Sequence, residues 1–101
     1  MSKYRAKPTT VDNIRFSSKR EANRYCSLKI LQNAHKISEL RLQPSYDITI
    51  NGTHICKVKL DFEYMCDGNK ITEDSKGYDN PLSQLKRKLV EAQHGIEVLL
   101  V

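Results

Sequence analysis

Long apolar segments, repeats and linkers are all missing from this sequence of 101 residues. No stretch approaches the roughly 20 consecutive apolar residues of a membrane-spanning helix. The opening residues Met1–Arg5 precede no apolar signal segment, so we expect a cytoplasmic protein that does not associate with membranes. Because linkers and low-complexity tracts are absent, the length fits one domain with a modest core.

Paired cysteines are also missing. The chain has three cysteines, Cys26, Cys56 and Cys66, and none forms a C-x-x-C pair. An odd number does not suit a disulfide framework. His54 and Cys56 are close enough in sequence to suggest zinc, but no second pair of ligands has the usual spacing. We therefore interpret the cysteines as free thiols, which mostly behave as small buried apolar residues.

Positive charge exceeds negative charge, since 17 Lys and Arg against 12 Asp and Glu give a formal net charge of +5. Two interpretations stay open. The excess can be a mildly basic surface, or it can attract a polyanion such as nucleic acid, because lysines near phosphates release condensed counterions. Charge alone does not choose between them.

The apolar pattern and the turn signals predict a mixed α/β (α+β) domain over residues 11–101, after a polar and basic N-terminal arm over residues 1–10. Asp12-Asn13 predicts a tight turn between two short extended pieces. Ser18 to Glu21 fits a capping box that begins a helix ending near Ala34. The apolar residues of this helix recur at helical spacing: Ala22, Tyr25, Leu28 and Leu31.

Three strands are predicted after this helix, over Tyr46–Ile50, His54–Met65 and Lys70–Lys76. The hairpin signals Asn51-Gly52 and Asp67-Gly68 separate them. The resulting strand meander would put alternate side chains on opposite faces of a sheet.

A second helix is predicted from Asn80-Pro81, a cap followed by a proline, to His94-Gly95. Its predicted apolar stripe consists of Leu82, Leu85, Leu89 and Ala92. A final strand over Ile96–Val101 completes the order α-β-β-β-α-β. That order predicts a central sheet flanked by helices.

Two acids and a lysine carry the strongest chemical signal. Asp74 and Lys76 are two apart on one predicted strand, so they share a face, and a hairpin at Asp67-Gly68 places Asp61 opposite Asp74. Two carboxylates can bind Mg²⁺, a hard cation that prefers oxygen ligands, and the Ser75 carbonyl offers a further oxygen. The metal would activate a water for phosphodiester cleavage, and Lys76 would hold that water or stabilise the anionic transition state.

Structural explanations of these residues stay open. An exposed carboxylate–lysine pair two apart on a strand is common, and Lys76 or Lys59 could neutralise the facing acids without a metal. Glu21 completes the capping box. It also lies on the helix face with Tyr25 and Leu28, where an inward carboxylate would need a cation or a hydrogen-bond donor.

These motifs resemble a family of small phage-encoded proteins grouped with the PD-(D/E)xK nucleases. The helix glutamate and the Gln-Pro segment are also similar to the nuclease subunit of the Tn7-type transposase and to archaeal-type Holliday junction resolvases. The resemblance covers nearly the whole chain. It rests on Tyr4 to Lys7, Phe16 to Ala22, Leu42-Gln43-Pro44, Leu60 to Tyr64, and Glu73 to Gly77.

The resemblance implies a restriction-endonuclease-like core and a Mg²⁺-dependent DNA endonuclease, with Mn²⁺ as a substitute and no small-molecule cofactor. Asp61 corresponds to the aspartate of the first half-motif, Asp74 and Lys76 to the second half, Glu21 to the helix glutamate, and Gln43 to a glutamine near the centre. Glu21 and Ser75 would join the two aspartates around the metal. The sequence departs from the family pattern because a leucine replaces the usual proline before Asp61 and because Ser75 stands where an apolar residue is usual.

The expected substrate is branched or junction DNA in phage replication or recombination, cut by a homodimer in the bacterial cytoplasm. Solvated helix faces are the structural alternative for most of the candidate DNA contacts, which are Lys7, Lys19, Arg20, Arg24, Gln43, Lys86 and Lys88. Three functional alternatives stay open: a non-catalytic nucleic-acid-binding module, an interaction subunit of a phage DNA-processing complex, and an RNA-cleaving enzyme.

Overall fold

The structure is a computed structural model that describes residues 7–101. Its elements in chain order are β1 (Thr9–Val11), β2 (Ile14–Phe16), α1 (Lys19–Asn33), β3 (Ser38–Leu42), β4 (Ser45–Ile50), β5 (Thr53–Lys59), β6 (Phe62–Cys66), β7 (Asn69–Asp74), α2 (Pro81–His94) and β8 (Val98–Leu100). The predicted mixed α+β class, with two helices and a central mixed sheet, is confirmed. No helix within residues 7–101 has the length and apolar character to span a membrane.

The first hairpin, β1–β2, turns at Asp12 and Asn13, whose φ angles of 52° and 63° are left-handed. The predicted tight turn is therefore confirmed. Most of the predicted arm, residues 1–6, lies outside the described residues. Its remaining part is shorter than predicted, because β1 already begins at Thr9.

Helix α1 begins where the capping residues predicted, since the Ser18 side chain accepts a hydrogen bond from the Glu21 N–H. The predicted inner face of Glu21, Tyr25 and Leu28 is buried. Leu31, predicted on the same stripe, is instead 37% exposed. Leu31 lies near the end of the helix at Asn33 and is not part of the apolar cluster that packs on this side of the sheet.

The central sheet has the strand order β3-β6-β7-β8. β6 pairs antiparallel with both β3 and β7, and β8 joins β7 in parallel. The predicted hairpin turn at Asp67-Gly68 links β6 to β7, with φ angles of 51° and 79°. The parallel β8 needs a crossover connection, which α2 supplies.

The order of elements corrects the prediction of α-β-β-β-α-β, because two strands precede α1 and five lie between the helices. The predicted strand His54–Met65 is two strands, separated at Leu60 and Asp61. β5 belongs to a separate two-stranded sheet with β4, whereas β6 enters the central sheet. The apolar alternation continues through Leu60 because Leu60 is itself buried, so the change of sheet leaves no mark on the pattern.

Two apolar clusters pack on the central sheet. The first unites α1 and β2 with Phe62 and Tyr64 of β6. The second unites the β4–β5 hairpin, Leu60 and α2 with Val98 of β8. Strand residues alternate between faces, so the two clusters lie on opposite faces of the sheet.

Helix α2 begins as predicted, with Asn80 accepting from the Ser83 N–H at 2.8 Å, and ends at Gly95 with φ of 64°. Its predicted apolar stripe is wrong in part. Leu82 and Leu85 are 59% and 53% exposed, and the helix packs instead through Val90, which is fully buried. The reason is that α2 joins the second apolar cluster through Leu89 and Val90, in its C-terminal half.

Candidate active site

The strand pairing of β6 with β7 brings Asp61 to Asp74. Phe62 faces Glu73 in the ladder, and the Asp61 N–H donates to the Glu73 carbonyl at 3.1 Å. Asp61, which precedes Phe62, and Asp74, which follows Glu73, are therefore neighbours across the two strands. Asp61 lies just outside the strand on which it was predicted, but its predicted position opposite Asp74 is retained.

The Asp61 carboxyl group is in an environment that disfavours its charge. Burial raises its pKa from the usual 3.8 to about 7, and the nearby carboxyl groups of Glu21 and Asp74 act in the same direction. The Ser75 N–H opposes them by donating to Asp61 Oδ2 at 2.6 Å. Two acidic side chains therefore disfavour the charge of Asp61, and the Ser75 backbone donor stabilises it.

Lys76 supplies the cation of this site. Its Nζ lies 3.3 Å from Asp74 Oδ2, and Asp74 is almost fully buried. Lys76 follows the end of β7 rather than belonging to the strand, which corrects the predicted range Lys70–Lys76. About a third of the Lys76 side chain is exposed, so the ammonium group is available to a ligand from solvent.

Glu21 approaches the site from α1. It is 6% exposed, and its Oε1 accepts from the Ser17 hydroxyl at 3.0 Å. A cavity of about 250 Å³ opens beside it and is also lined by Gln43 and Asp61. The Gln43 N–H donates to the Asp61 carbonyl at 3.0 Å, so this residue, with φ of 51°, helps to hold the backbone of Asp61.

The residues fit a magnesium ion better than a zinc ion. No group of three or more His, Cys, Asp or Glu side chains within residues 7–101 is assembled for a metal held by protein alone. Mg²⁺ usually keeps several waters and uses only one or two carboxylates, which Asp61 and Asp74 can provide. The buried Ser75 Oγ has no hydrogen-bond partner among the described residues, so a polar donor is free beside the two acids. The His54 Nε2 lies 3.1 Å from Asp47 Oδ1.

The residues predicted to contact DNA are dispersed. Lys7, Lys19 and Lys88 are exposed. The Arg20 Nε donates to the Val101 carbonyl at 3.2 Å, which ties α1 to the chain after β8. Arg24 forms two hydrogen bonds with the Glu73 carboxylate, at 2.8 and 2.6 Å. Because Glu73 is 1% exposed, the Arg24 guanidinium is paired with a buried carboxylate.

Buried acids that the sequence analysis did not single out lie next to the site. Glu73 accepts from both Arg24 and the Tyr64 hydroxyl, and burial raises the pKa of Tyr64 to about 12, with Glu73 acting in the same direction. Glu63 is 5% exposed and accepts from the Tyr46 hydroxyl. Alternation alone could not reveal this burial, because both faces of the sheet are covered.

Lys57 and Lys59 of β5 also lie next to the site, although the sequence did not point to them as binding residues. Lys57 and Lys59 line a cavity of about 120 Å³ together with Asp74 and Lys76. The spacing of two was a usable signal that both lysines share a face of β5. The sequence did not show that Ser83, Lys86 and Arg87 of α2 line the same cavity.

The fold and the site define a mixed α+β domain with a pair of carboxylates and a lysine at the start of β6 and the end of β7. The chain belongs to the family described as protein of unknown function (DUF1064), whose profile matches residues 1–99. No curated protein and no solved structure matches the chain.

Proposed function

We propose that this protein is a Mg²⁺-dependent DNA endonuclease that hydrolyses phosphodiester bonds, similar to the PD-(D/E)xK nucleases. The observation that carries the proposal is the approach of Asp61 to Asp74, with the Lys76 ammonium 3.3 Å from Asp74. The nearby Asp74 and Glu21 carboxyl groups help to raise the pKa of Asp61, and a divalent cation between the carboxylates would relieve that repulsion. Two carboxylates with only a structural role would gain no stability from that repulsion.

Asp61 and Asp74 would hold the metal, with Glu21 nearby and the Ser75 carbonyl as a further oxygen. A bound Mg²⁺ would polarise the scissile phosphate and lower the pKa of a water molecule. Lys76 would donate to the phosphate oxygen that gains charge in the transition state, or would orient the attacking water. The Ser75 N–H keeps Asp61 Oδ2 in place, so the two carboxylates are oriented before DNA arrives.

The DNA substrate and the biological setting rest on the family resemblance. We expect branched or junction DNA, products with 5′-phosphate and 3′-hydroxyl ends, and a phage protein acting in the bacterial cytoplasm during replication or recombination. Since cutting two strands requires two centres, a homodimer is part of the proposal. Sedimentation of the protein with and without branched DNA tests that part.

A cleavage assay tests the proposed activity. Branched, duplex and single-stranded DNA are incubated with Mg²⁺, Mn²⁺ or EDTA, using the native protein, Asp74→Asn and Lys76→Ala. The native protein should cut one substrate with either metal and none in EDTA. Both variants should lose at least a hundredfold in rate while keeping DNA binding within a few fold.

The exposed turn residue Asp67 offers a matched control, because Asp67→Asn makes the same chemical change outside the site and Asn tolerates the left-handed φ of 51°. This control should cleave at the native rate. A native protein that binds DNA but never cuts it would instead support a non-catalytic binding module. The absence of a three-ligand group in the described residues is the observation that favours this second candidate.

A further inference from the structure

A basic cavity of about 120 Å³ lies between β5 and the first half of α2. Five cationic side chains line it, together with Asp74: Lys57, Lys59, Lys76, Lys86 and Arg87. The cavity therefore reaches the proposed reaction centre directly. Most of its lining comes from β5 and α2, which carry neither Asp61 nor Asp74.

Two of the five cations already have a carboxylate partner. Lys76 contacts Asp74, and both Arg87 nitrogens contact the Asp79 carboxylate at 2.5 and 2.7 Å. The other three, Lys57, Lys59 and Lys86, form no ion pair within residues 7–101. Asp74 is the one acidic residue in the lining of this cavity, so five cationic side chains give it a net positive charge that favours an anion.

The backbone geometry explains why the lysines face the cavity. Lys57 and Lys59 lie on either side of Val58, so their side chains leave the same face of β5, and both are exposed and line the cavity. The first turn of α2 contains no acidic residue, and Ser83 of that turn lines the cavity. The positive end of the helix dipole therefore adds to the lysines, and Asp79, which precedes the cap, is paired with Arg87.

We propose that this cavity binds a backbone phosphate of the DNA strand that is being cut, adjacent to the scissile phosphate. The inference rests on the proposed function, and it names Lys57, Lys59 and Lys86 as phosphate-binding residues. DNA is favoured over a free anion because the cavity opens onto Asp74 and Lys76, so that a phosphate inside it is continuous with one at the reaction centre. Contacts of this kind position the nucleic acid without reading its sequence.

Salt-dependent DNA binding tests the cavity. The double variant Lys57→Gln/Lys59→Gln is compared with Lys29→Gln/Lys36→Gln, which removes the same charge from residues outside the cavity. Fluorescence anisotropy with labelled branched DNA in EDTA gives the affinity between about 50 and 500 mM salt, and thermal unfolding checks that each variant is folded. Each lost phosphate contact lowers the slope of log K against log salt by about 0.9.

Because the cavity holds one phosphate, the cavity variant should lose about 0.9 from this slope and bind roughly tenfold more weakly near 0.1 M salt. The control should change the slope by less than half as much. Equal behaviour of the two variants overturns the inference, and so does RNA of the same sequence bound as tightly with the same slope change. If the native protein fails to cut DNA but the slope falls as expected, the phosphate site stands and the nuclease proposal falls.

Discussion

The carboxyl group of Asp61 is subject to opposing influences on its pKa. Burial, Glu21 and Asp74 favour the neutral form, while the Ser75 N–H favours the charged form, and the pKa is raised to about 7. The pKa of Asp61 therefore depends on Glu21, Asp74 and Ser75 together. The raised pKa means that the folded protein binds a proton at Asp61 more tightly than the unfolded chain does.

Without metal, the free energy of unfolding should fall as the pH rises from about 4 to about 7 or slightly above, because the unfolded chain releases the proton of residue 61 near 3.8 and the folded protein only near 7. Thermal unfolding in EDTA across this range measures the effect. Asp61→Asn should flatten the pH dependence and be more stable than the native protein at pH 8. An unchanged pH dependence in Asp61→Asn would contradict the assignment to this carboxyl group.

Strand β7 is held against helix α1 by the contact of Arg24 with Glu73. Glu73 is 1% exposed, and besides Arg24 it accepts from Tyr64. Its backbone carbonyl also receives the Asp61 N–H. The same residue thus joins the helix to the strand and anchors the start of β6, which keeps Asp61 beside Asp74.

Arg24→Met should lower the free energy of unfolding by about 3 kcal/mol, because it leaves a charged carboxylate buried without its cation. In a Glu73→Gln background, where no charge remains, the same change should cost under about 1 kcal/mol. Urea unfolding of the four proteins gives the coupling energy. Equal costs in the two backgrounds would mean that the ion pair does not hold β7 to α1.

Helix α2 is attached by its second half. Leu82→Gln and Leu85→Gln should each change the free energy of unfolding by no more than about 0.5 kcal/mol, since both leucines are mainly exposed and glutamine favours helix. Val90→Ala should cost about 2 kcal/mol, because it opens a cavity in the second cluster. Denaturant unfolding measures all three. A cost above about 2 kcal/mol at Leu82 would place that residue in a core instead.

At the scale of the whole molecule, local signals in the sequence predicted the starts of the helices and the turns well. The caps Ser18 and Asn80 and the turns at Asn51-Gly52 and Asp67-Gly68 act within a few residues of themselves, so no tertiary information was needed. The proximity of Asp61 to Asp74 could be predicted for the same reason, because it depends on a single hairpin. The separate sheet of β4 and β5 could not be predicted, because Leu60 is buried and continues the apolar alternation across the break between β5 and β6.

Features that depend on packing between distant elements were missed. Arg24 was expected to contact DNA, and only the packing of α1 on β7 shows that its guanidinium pairs with Glu73. Likewise, Lys57 and Lys59 gain significance from the position of α2, 20 or more residues further along the chain. Periodicity describes one element at a time, so such contacts are outside its reach.

The central claim, that Asp61 and Asp74 together hold a divalent cation used on DNA, is tested most directly by crystals of the protein grown with Mn²⁺ and a DNA that cannot be cleaved. An anomalous difference map should contain a manganese peak about 2.1 Å from carboxylate oxygens of both residues, and the peak should vanish in Asp74→Asn. A manganese ion bound elsewhere on the protein, with Lys76 still paired to Asp74 and no peak between the two acids, would contradict the account.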